Sequence, residues 1–146
     1  MLIETVNVDD IQIGVSASGW EDAVRKSAQT LLDRKSIEPS YINAMIETVK
    51  ENGPYMVISK HIALAHARPE CGVNEMALSF ATLTPPIDFG AGDFDPIKLV
   101  VTLAATDNES HLEMIAELAG ILIDENKLNA MFEAASKEEL YKLLES

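Results

Sequence analysis

From Ile97 to Ala104 the chain reads IKLVVTLA, an apolar run broken only by Lys98 and Thr102. Asp95 and Pro96 close it on one side; Thr106, Asp107 and Asn108 close it on the other. A run this short, rich in Ile, Val and Leu and lacking period-two alternation, reads as a strand covered on both faces. Such a strand belongs in the middle of a sheet with a layer of structure on each side. That requirement sets aside a helical bundle or a barrel.

The remaining segments supply the layers. Ile11, Gln12, Ile13, Gly14 and Val15 alternate as a short half-buried strand. Ser18 and Glu21 have the form of a capping box, and Trp20, Ala23, Val24, Ser27, Ala28, Leu31 and Leu32 recur with helical period, predicting a helix over about 19–33. A second helix follows Pro39, with Tyr41, Ile42, Met45, Ile46 and Val49 as its apolar face, and stops near Asn52, Gly53 and Pro54. Tyr55–Ile58 and Ile62–Ala65 read as strands. Met76–Leu83 reads as another, broken by Pro85 and Pro86 before a short extended piece, Ile87–Phe89. Past the caps offered by Thr106, Asp107 and Asn108 comes a helix with Leu112, Ile115, Ala116, Ala119 and Leu122 on one face. Two shorter helices, about 125–135 and 137–144, finish the chain, the second with Ser136 and Glu139 as a capping box. The expectation is one α/β domain over 1–146: a three-layer sandwich with a mixed, mostly parallel central sheet of about five strands flanked by helices.

Charge narrows the partners. The 24 Asp and Glu outnumber the 11 Lys and Arg, for a formal net charge of -13. A field of that sign repels phosphate backbones and anionic lipid, so nucleic acid and membrane surfaces are poor partners while a basic protein surface is a good one. Cys71 is the single cysteine, which excludes an intrachain disulfide and fits a reducing compartment. Glu4, Asp9 and Asp10 stand where a signal peptide would be basic and then apolar, and no apolar stretch is long enough to span a membrane. A cytoplasmic protein is expected.

The densest group of reactive side chains lies between Ser59 and Asn74, with His61, His66, Arg68, Glu70 and Cys71. His66 sits where a strand ends, held by the sheet yet able to face a crevice, the place where open α/β sheets keep their working groups. The alternative is a histidine that merely hydrogen-bonds there. His111 lies in the first turn of the long helix, with Ile115, Leu118 and Leu122 following on its face, which turns its ring toward the sheet. The unbonded N–H groups of that turn attract anions. Histidine attacks phosphorus through one ring nitrogen while the other is held by an acceptor, so this pair suits phosphoryl chemistry without a metal. His61, His66, Cys71 and His111 lack paired metal-ligand spacing, and His61 and His66, five apart across a strand, are expected on opposite faces. Cys71 reads as an ordinary thiol, with only Arg68 nearby to activate it. There is no glycine-rich loop ending in Lys and Ser/Thr, so direct use of ATP is not expected, and no serine-nucleophile elbow.

The string from Gly53 to Val73, GPYMVISKHIALAHARPECGV, closely resembles the active-site segment of enzyme IIA components of the bacterial phosphoenolpyruvate-dependent sugar phosphotransferase system, in particular the ascorbate-type branch of the fructose/mannitol family. Trp20, Glu21 and Ala23, then Tyr41 and Ala44, then Asp95 to Ile97, and His111 after Asp107 and Asn108 extend the resemblance along nearly the whole chain. It implies that His66 is phosphorylated by the carrier HPr and passes the group to a cysteine of the cognate enzyme IIB, which serves a membrane permease, enzyme IIC. It also implies that His111 stabilises the phosphoryl group, that no cofactor takes part, and that the transported compound is L-ascorbate or a related pentose or pentitol. Two positions depart from the family pattern. Ala65 replaces the usual proline before the reactive histidine, and Glu47, Thr48 and Val49 offer no arginine late in the second helix, leaving Arg68 as a candidate source of positive charge. A regulatory module of the same fold, a non-catalytic binding protein and a homodimer remain open at this point.

Overall fold

The computed structural model describes residues 5–145; Glu4 lies outside that range. Five strands form one sheet: β1 Val6–Val15, β2 Val57–Ser59, β3 Ile62–Ala65, β4 Ala77–Ile87 and β5 Ile97–Ala104, in the order β1-β4-β5-β3-β2. The apolar run Ile97–Ala104 is the central strand, as its sequence requires. Helices α1 Trp20–Asp33 and α2 Pro39–Asn52 cover one face, and α3 Asn108–Leu122, α4 Glu125–Phe132 and α5 Lys137–Glu145 cover the other.

Alternating residues divide the core into two. Ala63, Ala65, Val100 and Ala104 pack against α1 and α2, while Leu64, Leu99, Val101 and Leu103 pack with Met114, Leu118 and Leu140 of the other layer. The three-layer α/β sandwich and five-stranded mixed sheet match the expectation. The sheet is evenly mixed, however, and not mostly parallel: β1–β4 and β3–β5 pair parallel, β4–β5 and β2–β3 antiparallel.

Four local expectations are corrected. β1 begins five residues earlier than the alternation at Ile11 suggests, because a register shift between Val6 and Ile11 buries the adjacent Asp10 and Ile11 together. Asp10 tolerates this because Arg34 Nη1 lies 2.8 Å from its carboxylate. β4 does not break at Pro85 and Pro86. Its pairing with β1 ends at Leu83, and its register with β5 shifts between Thr82 and Ile87, so the missing proline N–H groups fall where the ladder is already irregular. Ser18 and Glu21 form no capping box: the Ser18 N–H donates to Asp22 Oδ2 at 3.0 Å, while Glu21 pairs with Arg25 and Lys50. Finally, α3 buries Met114 and Leu118, whereas Leu112, Ala116 and Ala119 face solvent together with Ile123. From Leu112 to Leu122 only Glu113 and Glu117 are polar, so period alone does not choose the inward stripe.

The segment carrying Arg68 to Gly72 is fastened to the start of α2. Glu38 N–H donates to Gly72 O at 2.8 Å and Ser40 Oγ to Cys71 O at 2.8 Å. Gly72 adopts φ +135°, and a Cβ there would come within 2.6 Å of Ser40 Oγ, so only glycine allows this approach.

Candidate active site

β3 and β5 run parallel as neighbours, with Ala65 opposite Thr102, so their carboxyl ends lie at one edge of the sheet. His66 is the first residue beyond β3, and the chain leaving β5 enters α3, which carries His111 in its first turn. Adjacent parallel strands therefore deliver two residues 45 positions apart in sequence to one place: their ring centroids are 5.4 Å apart, with the planes tilted by 51°. This is the crevice outside strand carboxyl ends where open α/β sheets place their chemistry.

His66 Nδ1 lies 2.8 Å from Leu64 O. A carbonyl only accepts, so Nδ1 carries the proton and Nε2 keeps its lone pair. The Tyr55 ring meets the imidazole edge-on at 5.3 Å and 74°, and the Tyr55 hydroxyl donates to His66 O.

His111 is half-buried, and its Nδ1 is enclosed without a hydrogen-bond partner. Desolvation, reinforced by the neighbouring His66, holds its pKa below 6.5, which favours the neutral ring. The start of α3 is not wholly open to an anion as expected. The Asp107 carboxylate already accepts from Ser110 N–H at 2.7 Å, and this backbone hydrogen bond holds its pKa below the usual carboxylate value.

The two imidazoles open onto a hollow of about 460 Å³, lined also by Thr48, Asn52, Arg68, Cys71 and Asn108. Arg68 has no carboxylate within salt-bridge distance among the described residues, so its charge is available to the hollow. Thr48 and Asn52 were not singled out from sequence as site residues. Their spacing of four from Ala44 along α2, beside the buried Tyr41, Met45 and Val49, is the signal that places them on one face. A larger hollow of about 930 Å³, between β1 and α5, contains neither histidine nor cysteine among its described residues.

His61 does not join the site, but not for the reason expected. β3 spans only Ile62–Ala65, so both histidines lie outside it, at its opposite ends. His61 has φ 72° in the turn before β3, where no strand alternation applies. Its ring packs against Phe132 at 6.2 Å. The possible ligand set of His61, His66, Cys71 and His111 is therefore not assembled, and among the described residues no group of three or more His, Cys, Asp or Glu is placed to hold a metal.

The family model for the phosphoenolpyruvate-dependent sugar phosphotransferase system, EIIA 2, matches residues 4–146. The chain belongs to this family. Its enzyme IIA components are phosphohistidine-forming phosphotransferases, so this chain is a phosphocarrier of the sugar phosphotransferase cascade. The mannitol-specific cryptic phosphotransferase enzyme IIA component of Escherichia coli is 35% identical over 129 residues, covering 88% of this chain and 87% of that one. The ascorbate-specific EIIA component of the same organism is 31% identical over 136 residues, covering 92% and 88%. The solution structure of the cryptic mannitol enzyme IIA superposes with a TM-score of 0.90 at 33% identity, covering 98% of this chain and 97% of that one. Among the described residues of this enzyme IIA, no helix is long and apolar enough to cross a membrane.

Proposed function

We propose that His66 is the phosphorylated residue, that it takes the phosphoryl group from phospho-HPr onto Nε2, and that it passes the group to a cysteine of a cognate enzyme IIB in the cytoplasm. The observation that carries this reading is the fixed tautomer of His66 facing a second imidazole. The Nδ1–H goes on donating to Leu64 O throughout, so Nε2 of the neutral ring attacks without first losing a proton. In the first step the P–N bond of the donor phosphohistidine breaks as a P–Nε2 bond forms; in the second that bond breaks as a P–S bond forms on the enzyme IIB thiolate. Neither step calls for a cofactor or metal, and positioning with charge stabilisation carries the transfer.

His111 would stabilise the phosphoryl group. Its neutral ring is held that way by desolvation and by His66; a dianion arriving on His66 favours protonated His111, which then faces opposite charge. Arg68 is the second proposed source of positive charge, standing in for the absent arginine of α2.

Docking would start beside this hollow and run along the outer face of α3. Leu112 is 68% exposed and Ile123 81% exposed, and they continue through Ala116 and Ala119 as an outward apolar stripe on α3. Glu109 and Glu113 flank the stripe and α3 carries no lysine or arginine, so a partner with an apolar centre and a basic rim fits it. Through enzyme IIB the chain would serve a membrane enzyme IIC for L-ascorbate or a related pentose or pentitol. The similarity to the ascorbate-specific components supports that class, and a hexitol is the outcome that displaces it.

The test supplies phosphoenolpyruvate, enzyme I and HPr. One acid-labile phosphoryl group, about 80 Da, is expected on the wild-type chain; no mass gain with an active donor overturns transfer. Sugar-dependent turnover of that label with the native permease set then decides the substrate.

A further inference from the structure

We propose that the hydroxyls of Tyr41 and Tyr55 are positioning groups that hold a single peptide unit, the one joining His66 to Ala67, from its two ends. The inference rests on the reading of His66 as the phosphoryl acceptor. His66 C=O and Ala67 N–H belong to the same planar amide and point in opposite directions. Tyr55 donates its hydroxyl proton to that C=O, and Tyr41 accepts from that N–H at 3.0 Å.

The two tyrosines come from different places, so the grip is tertiary. Tyr41 is fully buried on α2, and Tyr55 lies in the turn that follows the helix. The Tyr41 hydroxyl has one proton, and it goes to Leu103 O at 2.6 Å; Ala67 O, at 3.3 Å, is a weaker competitor. Leu103 lies on β5, which leads into the helix bearing His111. One hydroxyl therefore ties the chain after β3 to the strand that sets the position of the second imidazole.

Holding this amide fixes ψ of His66 and φ of Ala67, the two torsions that the end of β3 leaves free. Ala65 supplies no ring restraint of its own just before the histidine. With the backbone fixed, the imidazole reaches Leu64 O through Nδ1 and presents Nε2 to the hollow. Burial raises the pKa of both hydroxyls, that of Tyr55 to about 12, so both keep their protons across the neutral range.

The decisive variant is Tyr55→Phe in the full chain, since Tyr55 is only half-buried and its ring contact with His66 is retained. Ring 15N NMR of His66, recorded without any phosphoryl donor, is expected to show one tautomer in the wild type and a shift toward Nε2–H in Tyr55→Phe. Transfer from phospho-HPr is expected to lose about tenfold in kcat, with KM within about twofold, because misplacing a reacting atom affects the chemical step. Tyr41→Phe is expected to act in the same direction; if that variant does not fold, Tyr55→Phe still decides. An unchanged tautomer in Tyr55→Phe overturns the inference whatever the rate does, and so does an unchanged rate. Failure of the wild type itself to accept phosphoryl groups sinks the reading of His66 instead, and the tautomer measurement still stands apart from it.

Discussion

The two ends of β3 form a natural contrast. At each end a histidine places Nδ1 on a backbone carbonyl: His61 on Pro96 O at 2.7 Å, His66 on Leu64 O at 2.8 Å. Each ring also meets an aromatic edge-on, Phe132 at one end and Tyr55 at the other. Even the hollows are comparable, about 310 Å³ beside His61 and about 460 Å³ beside His66. A carbonyl-anchored imidazole at a crevice is therefore not what makes a site. His66 differs in facing a second imidazole and in having its own peptide held by two hydroxyls. His61 faces Phe132, whose ring also lies under the Lys98 ammonium at 5.5 Å. The parallel pairing of β3 with β5 makes the difference, since it brings the start of α3, with His111, to the His66 end, while the last turn of α3 lies beside His61.

The largest expected effect tests the contrast directly. His66→Ala is expected to abolish the acid-labile phosphoryl label, and His61→Ala to retain it; a label that follows His61 would reverse the assignment of the two ends. Next in size, His111→Ala is expected to slow transfer by about 10²-fold, the usual cost of removing one preorganised stabilising group. Transfer within twofold of wild type would reduce His111 to a packing residue, and the two ends of β3 would then differ less than proposed.

The smallest effect concerns pH. The folded-state pKa of His111 lies below 6.5, so the unfolded chain binds the proton more readily. The contribution of this group to stability is complete above about pH 6.5. It is lost as pH falls from there toward the lowered folded value, below which it changes no further. Denaturant titrations of wild type and His111→Asn between about pH 7 and 5 should differ by that slope, the variant being the flatter. Equal slopes would mean that the ring is not desolvated.

Much of this was legible in the chain itself. The largely apolar run gave β5 its central position, Pro39 and Asn52–Gly53 bounded α2, and His66 and His111 stood out by their places at a strand end and a helix start. What stayed hidden depended on neighbours distant in sequence. The inward stripe of α3 was ambiguous because Leu112, Met114, Ile115, Ala116, Leu118 and Ala119 satisfy more than one helical face. The first half of β1 lies outside the alternation of Ile11–Val15, and the register shift, with Arg34 beside Asp10, accounts for the burial of Asp10. The prolines of β4 signalled a break because nothing local reveals that the ladder is already irregular there. Ser18 and Glu21 matched a capping pattern, but Lys50 on another helix competes for Glu21, and Asp22 takes the backbone N–H.

Sequence alone determined the layers, since burial of an apolar run and the period of amphipathic helices are local properties of side-chain order. It also supplied the candidate reactive side chains, His66, His111 and Arg68. Tertiary structure decided which of those residues meet. Strand order and pairing direction set that, and they arise from packing between segments far apart in the chain. So His66 has His111 and two tyrosine hydroxyls around it, while His61, five residues away, has Phe132.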